Sequence, residues 1–232
     1  MADIVTEDMT FASNGSTAQG YLARPADGKA HPGIIVIQEW WGLNDNIKDI
    51  ARRFAGAGFI ALAPDLYHGK VVDEPNEAQK AAMALDQAEV AKDLRGALMA
   101  LQGQRDVAPK KIGVSGFCLG GYITLVFAAQ AGPELGAIAP FYPGGYDPTA
   151  EEVRHIQCPV QIIYGENDHS TPEDVRERLR THLTDAGKTF DMIVYPGADH
   201  AFFNDTRSEV HDATASADAW SRTIAWFERY LL

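Results

Sequence analysis

Short runs of consecutive apolar residues alternate along the chain with longer segments of helical spacing. Six runs rich in Ile, Val and Phe cover residues 34–38, 59–63, 111–115, 136–141, 160–164 and 190–195. They lack a two-residue alternation of apolar and polar side chains, so each predicts a strand buried on both faces. Strands of this kind form parallel sheets covered by helices. The pattern therefore predicts an α/β fold with a mostly parallel central sheet and helices on both faces.

Five longer segments carry the spacing or the end signals of helices. They predict helices over residues 44–57, 75–101, 119–131, 172–186 and 213–232, and the second is long enough to contain a break. Tyr21 and Leu22 predict an antiparallel edge strand. No internal repeat and no linker rich in Ser or Pro divides the chain, so a single domain over residues 1–232 is predicted.

Composition and charge exclude several classes of function. The 232 residues are 46% apolar, which is enough to bury a sizeable core, and the net charge of −12 repels nucleic-acid phosphates and anionic membrane surfaces. The first twenty residues have no basic start followed by an apolar run, and the apolar runs are far shorter than a membrane span. With only two cysteines, the chain is predicted to be a cytoplasmic protein without nucleic-acid or membrane partners.

The most informative segment is residues 111–122, KIGVSGFCLGGY, which predicts a strand, a tight turn and a helix. Its GFCLG portion has the spacing of a nucleophile elbow, with Cys118 at the centre. A thiol at the amino end of a helix is favoured as a thiolate, and the amide of Leu119 can face a developing oxyanion. The alternative is a small buried cysteine packed between glycines.

A thiol nucleophile needs a base, and seven histidines are available. His200 fits best because it follows the strand predicted over residues 190–195, at the carboxyl edge of the sheet where ligands bind in open α/β folds. His68, in the loop after residues 59–63, could also reach such a site. The remaining histidines are predicted to lie in loops or on helix surfaces.

The acid that orients the histidine is predicted to follow the strand over residues 160–164. Asp168 is the first choice, Glu166 is the second, and an ordinary turn residue is the alternative for Asp168. The chain order of nucleophile, acid and histidine is that of α/β-hydrolases. A single α/β-hydrolase domain is therefore predicted.

Residues 38–42, QEWWG, follow the strand over 34–37. The amide of Trp40 is predicted to be a second oxyanion donor. Glu39, among aromatic residues, is predicted to be partly desolvated and to exchange a proton with the thiol, or else to be an exposed loop acid. No Cys-x-x-Cys pair, His-Glu-x-x-His or glycine-rich nucleotide motif occurs, so neither a metal nor a cofactor is predicted.

Five of these segments together resemble the dienelactone hydrolase (carboxymethylenebutenolidase) family, and the resemblance covers nearly the whole chain. They are residues 38–42, 63–67 (APDLY), 116–121, 164–168 (YGEND) and 197–203 (GADHAFF). The resemblance implies a Cys118, Asp168 and His200 triad, with Glu39 against a thiol that stays largely protonated until substrate moves it. It also implies hydrolysis of a small-molecule lactone or ester.

One departure bears on the substrate. Family members that cleave dienelactone hold its carboxylate with arginines, but this chain has Asn204 four positions after His200, and its nearest arginine there is Arg207. Between Tyr67 and Val90 the only cations are lysines, one of them Lys80.

We therefore predict that neutral short-chain esters or lactones are cleaved at least as efficiently as dienelactone. Substrate contacts are predicted at Trp41, Phe202, Asn204 and Arg207. A short-chain carboxylesterase that does not act on dienelactone, and a non-catalytic binding protein of the same fold, are the alternatives. The protein is predicted to be a monomer or a small homo-oligomer.

Overall fold

The computed structural model describes residues 3–13 and 15–232. The chain divides into two compact units, Met1–Gly113 and Val114–Leu232, and the division falls inside the fifth strand. The first unit contains β1 (Ile4–Ser13), β2 (Ser16–Pro25), β3 (Gly33–Ile37), α1 (Asp45–Gly56), β4 (Ile60–Pro64), α2 (Pro75–Met83), α3 (Gln87–Gly103) and the start of β5 (Ile112–Phe117). The second unit continues with α4 (Leu119–Ala131), a 3-10 turn (Gly132–Glu134), β6 (Leu135–Phe141), α5 (Ala150–His155), β7 (Val160–Gly165), α6 (Glu173–Asp185), β8 (Phe190–Tyr195) and α7 (Ala213–Leu231). The single-domain organisation stays a prediction.

In the first unit the strands lie in the order β1, β2, β4, β3. β1 pairs with β2 and β2 with β4 in antiparallel register, whereas β3 and β4 are parallel. Every residue of β3 and β4 is buried, as their continuous apolar runs predict. Helix α1 begins where the Asn44 side chain accepts the amide of Ile47, and it packs its buried face on β2 and β4.

In the second unit the strands lie in the order β5, β6, β7, β8. β6 and β7, and β7 and β8, are parallel. Helices α4 and α7 both pack against β6, all of whose residues are buried. The site described below lies in loops that follow the carboxyl ends of these strands.

The sequence pattern located the six strands that it predicted and missed elements with little apolar signal. The prediction that all six are buried on both faces was wrong for β8, five of whose six residues are only half-buried because the strand lies at the edge of the sheet. β1 was not predicted, because most of its side chains are exposed and form no apolar run. β2 is antiparallel as predicted, but the prediction that it forms the edge was wrong, because β1 pairs with its other side. The short helix α5 was also missed, although Thr149 and Glu152 form a capping box at its start.

The helix predicted over residues 75–101 is two helices. α2 ends at Met83, and α3 begins at Gln87 after Asp86, whose side chain accepts the amide of Ala88 at 2.8 Å. An aspartate in the cap position favours a new helix start over continuation of the old helix. Of the helices in residues 3–13 and 15–232, none combines the length and the apolar composition that a bilayer span requires.

Candidate active site

Cys118 occupies a strained position between β5 and α4. Its backbone has φ 55° and ψ −116°, in the left-handed half of conformational space that side chains rarely adopt. The Cys118 amide donates to the carbonyl oxygen of Phe141 at 3.1 Å, and its own carbonyl accepts from the Tyr122 amide at 3.1 Å. These bonds hold a partly exposed thiol at the amino end of α4.

Two glycines beside Cys118 allow the close packing of this turn. A Cβ atom at Gly116 would collide with the carbonyl group of Gly120, and one at Gly121 would collide with the carbonyl oxygen of Phe141. The first glycine of the Gly-x-Cys-x-Gly spacing and the glycine that follows this spacing therefore permit backbone contact around the thiol. Leu119 is the first residue of α4, where a helix leaves amide donors without an intrahelical acceptor. Its role as an oxyanion donor stays a prediction.

Asp168 lies in the turn after β7 and is 2% exposed. Its Oδ1 atom accepts the amide of Ser170 at 2.8 Å and the hydroxyl of Ser170 at 2.6 Å. Burial by itself raises the pKa of the Asp168 carboxyl, but hydrogen bonds from His200 and Ser170 outweigh burial and hold that pKa below its ordinary value. Asp168 is therefore a buried, ionised acceptor at neutral pH.

His200 lies in the loop after β8, and its Nδ1 atom is 2.7 Å from the Oδ2 atom of Asp168. Burial alone would lower the pKa of His200, but the bond to Asp168, the neighbouring thiol of Cys118 and the charge of Asp168 raise it to about 10. The second unit thus joins His200 to Asp168 by a hydrogen bond, and Cys118 is among the groups that shift the pKa of His200.

Glu166, the second candidate acid, makes contacts that differ from those of Asp168. Its Oε2 atom accepts the amide of Gly197 at 2.8 Å, and the neighbouring Asn167 side-chain amide donates to the carbonyl oxygen of Gly197 at 3.0 Å. Both contacts tie the turn after β7 to the loop that carries His200. Glu166 therefore supports the loop, whereas Asp168 contacts the imidazole.

Residues 38–41 follow β3 in the first unit. Glu39 is 2% exposed, so the alternative of an exposed loop acid was wrong. The Gln38 Oε1 atom accepts the amide of Leu66 at 3.1 Å, and the Trp40 and Trp41 rings meet edge to face with centroids 5.2 Å apart. The roles predicted for Glu39 with the thiol, for Trp40 as an oxyanion donor and for Trp41 with substrate stay predictions.

The residues predicted to contact substrate after His200 are largely engaged with neighbours. Asn204 is buried, and its Oδ1 atom accepts the amide and the hydroxyl of Thr206 at 3.1 and 2.7 Å. Arg207 pairs with Glu209 at 2.9 Å. Phe202 is fully buried, with its ring against those of two tyrosines. Substrate contact by these three residues stays a prediction, and their packing gives it little support.

Other candidates belong to different environments. Cys158 is 5% exposed and precedes β7, consistent with a core residue. The alternative base His68 faces the buried carboxylate of Asp93 at 3.4 Å in the first unit, and Asp93 also accepts from the Ser13 hydroxyl. Within the part of the chain that the structure describes, no group of three or more His, Cys, Asp or Glu side chains is arranged to hold a metal ion.

Sequence reasoning missed two residues of the site. Ser170 contacts both Asp168 and His200, and its spacing of two residues after an aspartate was an available turn signal. Tyr142 is fully buried with φ 35°, and its ring centroid lies 5.1 Å from that of His200. Nothing in the pattern around Tyr142 indicates this contact, because the residue simply continues the apolar run of β6.

Mostly parallel strands with interleaved helices, and a strained residue between a strand and a helix, define an α/β-hydrolase. The crystal structure of a dienelactone hydrolase-like promiscuous phosphotriesterase from metagenomic libraries has the same fold. It matches with a TM-score of 0.90 and 25% identity, over 100% of this chain and 100% of that one.

The sequence profile of the dienelactone hydrolase family matches residues 18–231. "Protein usf" of Aquifex pyrophilus is 38% identical over 229 residues, which cover 95% of this chain and 97% of that protein. A protein of Aquifex aeolicus named "Putative carboxymethylenebutenolidase" is 33% identical over 227 residues, with the same two coverages. The chain belongs to the dienelactone hydrolase family and is a hydrolase of that type.

Proposed function

We propose that this protein hydrolyses lactones or small carboxylic esters with Cys118 as the nucleophile. The observation that carries the proposal is the series of side chains from Asp168 through His200 to Cys118, which ends at the strained start of α4. A nucleophile, a base and a group that orients the base are the components of nucleophilic acyl transfer. A buried structural cysteine would need neither the histidine nor the strained backbone.

In each step of the proposed reaction, a side chain of the site donates or accepts the proton that moves. His200 takes the proton of the Cys118 thiol as the sulfur attacks the carbonyl carbon, and the Leu119 amide donates to the oxygen that becomes negative. When the intermediate collapses, the ester C–O bond breaks and the His200 imidazolium gives its proton to the departing alkoxide, which leaves a thioester on Cys118. Neutral His200 then takes a proton from a water that attacks the thioester, and the thiolate leaves as the acid product forms.

The resting thiol is proposed to stay largely protonated until substrate moves it, as the family resemblance implies. Asp168 holds the proton on Nδ1, so Nε2 is the imidazole nitrogen that can serve the thiol.

The substrate is proposed to be neutral. A desolvated substrate carboxylate needs a cation or several donors, because burying it unpaired costs several kcal/mol. Arg207 is paired with Glu209, and Asn204 is buried and carries no positive charge. A short-chain carboxylesterase activity without dienelactone turnover therefore remains the nearest alternative within the same chemistry.

Replacement of the nucleophile tests the mechanism. Cys118→Ala is expected to abolish ester turnover without loss of the fold, because the site favours a small side chain. The matched control is Cys158→Ala, which removes the buried cysteine and is expected to change kcat/KM little. Iodoacetamide should inactivate the wild type with one alkylated residue, Cys118, identified by peptide mass. Wild-type turnover by Cys118→Ala would exclude the mechanism.

A substrate panel tests the predicted charge preference. We expect kcat/KM for neutral lactones and nitrophenyl esters to equal or exceed that for dienelactone at both low and high salt. A phosphotriester belongs in the panel because one structural relative is named as a promiscuous phosphotriesterase. A preference for dienelactone of about a hundredfold or more would instead show a carboxylate site, with Arg207 or Lys80 as the first residues to replace.

The same measurements distinguish the proposed enzyme from a non-catalytic binding protein of the same fold. Such a protein would bind esters without turnover in wild type and Cys118→Ala alike. It would also leave no thioester on Cys118, which intact mass spectrometry during turnover of a slow ester would detect.

A further inference from the structure

The hydroxyl of Ser170 lies between the acid and the histidine of the site. Its Oγ atom is 2.6 Å from the Oδ1 atom of Asp168 and 3.1 Å from the Nδ1 atom of His200. The Asp168 Oδ2 atom is itself 2.7 Å from Nδ1. The three side chains therefore form a closed ring of hydrogen bonds, and Ser170 contacts both members of the pair.

The protons in this ring have one consistent assignment. A carboxylate can only accept, so the single hydroxyl proton of Ser170 is donated to Asp168 and the Oγ lone pairs face His200. The proton on Nδ1 then has two acceptors, the carboxylate and the Ser170 oxygen. Both fix Nδ1 as the protonated nitrogen and leave Nε2 for Cys118.

The same hydroxyl also controls which carboxylate oxygen faces the imidazole. The Ser170 amide and hydroxyl both donate to Oδ1 of Asp168, so that oxygen is occupied and Oδ2 is presented to His200. Burial raises the pKa of Asp168, whereas the His200 and Ser170 bonds lower it and give a net decrease. Loss of the hydroxyl leaves one donor on Oδ1, so the carboxyl group can rotate more freely.

The loop after β6 holds Ser170 in place. The Gly145 amide donates to the Ser170 carbonyl oxygen at 3.1 Å. A Cβ atom at Gly144 would lie 3.0 Å from the Ser170 Oγ atom and 3.5 Å from the Cε1 atom of His200. The absence of a side chain at position 144 thus leaves room for the serine and the imidazole together.

We propose that Ser170 is a positioning residue for the Asp168–His200 pair, which its hydroxyl holds in the orientation and tautomer needed to serve Cys118. This inference rests on the proposed function. It assigns a role to a side chain that contacts both the acid and the histidine.

The test compares three replacements at position 170 that separate the hydroxyl from the shape of the side chain. Ser170→Ala and Ser170→Val remove the hydroxyl, whereas Ser170→Thr keeps it with the shape of valine. We expect kcat for a neutral nitrophenyl ester to fall about tenfold in Ser170→Ala and Ser170→Val with KM within about twofold, the size of one hydrogen bond to a charged group. Ser170→Thr is expected to restore most of the lost kcat.

A second measurement does not depend on turnover. Carboxyl NMR titration should show a higher pKa for Asp168 in Ser170→Ala and Ser170→Val than in wild type, and a value close to wild type in Ser170→Thr. Ser208→Ala, which truncates an exposed serine elsewhere in the second unit, should change neither readout. The proposal is overturned if Ser170→Val matches Ser170→Thr in kcat, or if the Asp168 pKa is the same in all variants. A wild type without Cys118-dependent turnover would instead refute the proposed function, and the titration would still test the Ser170 contact.

Discussion

Two buried aspartates that follow buried strands form the same kind of turn but have different roles. Asp65 follows β4 in the first unit and Asp168 lies three residues after β7 in the second, at 8% and 2% exposure. Each accepts the amide two residues further on, from Tyr67 at 3.0 Å and from Ser170 at 2.8 Å. This bond is the Asx turn that an aspartate makes within its own backbone.

The difference lies in the second oxygen. At Asp65 it accepts another backbone amide, that of Gly69 at 2.5 Å, so both oxygens serve the turn. At Asp168 one oxygen takes both donors of Ser170, and the other is left for His200. An aspartate at a strand end is thus structural or part of an active site according to what its second oxygen faces.

The largest expected effect is a loss of activity, and it distinguishes Asp168 from Asp65. Asp168→Asn places an amide donor against the Nδ1 proton and favours the wrong imidazole tautomer, so we expect kcat/KM to fall roughly 10³–10⁴-fold. His200→Ala should lose still more, because no proton acceptor remains. Steady-state kinetics with a neutral ester measures both. A small effect of Asp168→Asn would show that the carboxylate is only a turn residue.

The matched change at Asp65 is expected to act on stability. Asp65→Asn replaces one of two acceptor oxygens with a donor that faces a backbone amide, which should lower the free energy of unfolding by about 1–2 kcal/mol. We expect kcat/KM to change by no more than a few-fold. Urea unfolding followed by circular dichroism measures the first and ester kinetics the second. An activity loss as large as that of Asp168→Asn would show that the turn at Asp65 is not purely structural.

A smaller effect concerns the proton on His200. Its pKa is raised from 6.5 to about 10, so its contribution to the free energy of unfolding is complete below pH 6.5 and is lost as the pH rises through about 10. Asp168→Asn removes one of the groups that raise this pKa, so the imidazole should titrate at lower pH. Imidazole ¹⁵N NMR in the wild type and the variant measures the shift. An unchanged midpoint would mean that Asp168 does not hold the imidazolium.

The smallest expected effect is at Glu166. Glu166→Gln keeps an oxygen that can accept the Gly197 amide, so we expect kcat/KM within about threefold of wild type and a slightly lower Tm. Kinetics and thermal unfolding on the same preparation measure both. If Glu166→Gln is far more damaging than Asp168→Asn, then Glu166 is the orienting acid and Asp168 supports the turn.

Much of the site could be predicted because its parts are local. The turn at Cys118 needs glycines within two or three positions, and Gly116 and Gly121 face backbone carbonyl groups as such a turn requires. Ser170 was open to prediction in part, since an aspartate followed two residues later by serine is a turn signal. The edge strand β1 was missed because an exposed strand has no apolar run. The break in the segment 75–101 was expected from its length, but its position before Asp86 was not located, because a cap residue overrides helical spacing only weakly in sequence.

The sequence by itself determined the buried strands, the strand–turn–helix around Cys118 and the order of the chemical groups, because apolar runs and glycine spacing act over a few residues. Only the tertiary structure decided which acid meets the imidazole. Asp168 and His200 are 32 residues apart in the chain, and the parallel pairing of β7 with β8 places the loops after both strands together. Glu166 was the second candidate from the sequence, and it contacts the amide of Gly197 instead. The direction of a side chain in a turn depends on hydrogen bonds across loops, which no local pattern of residues encodes.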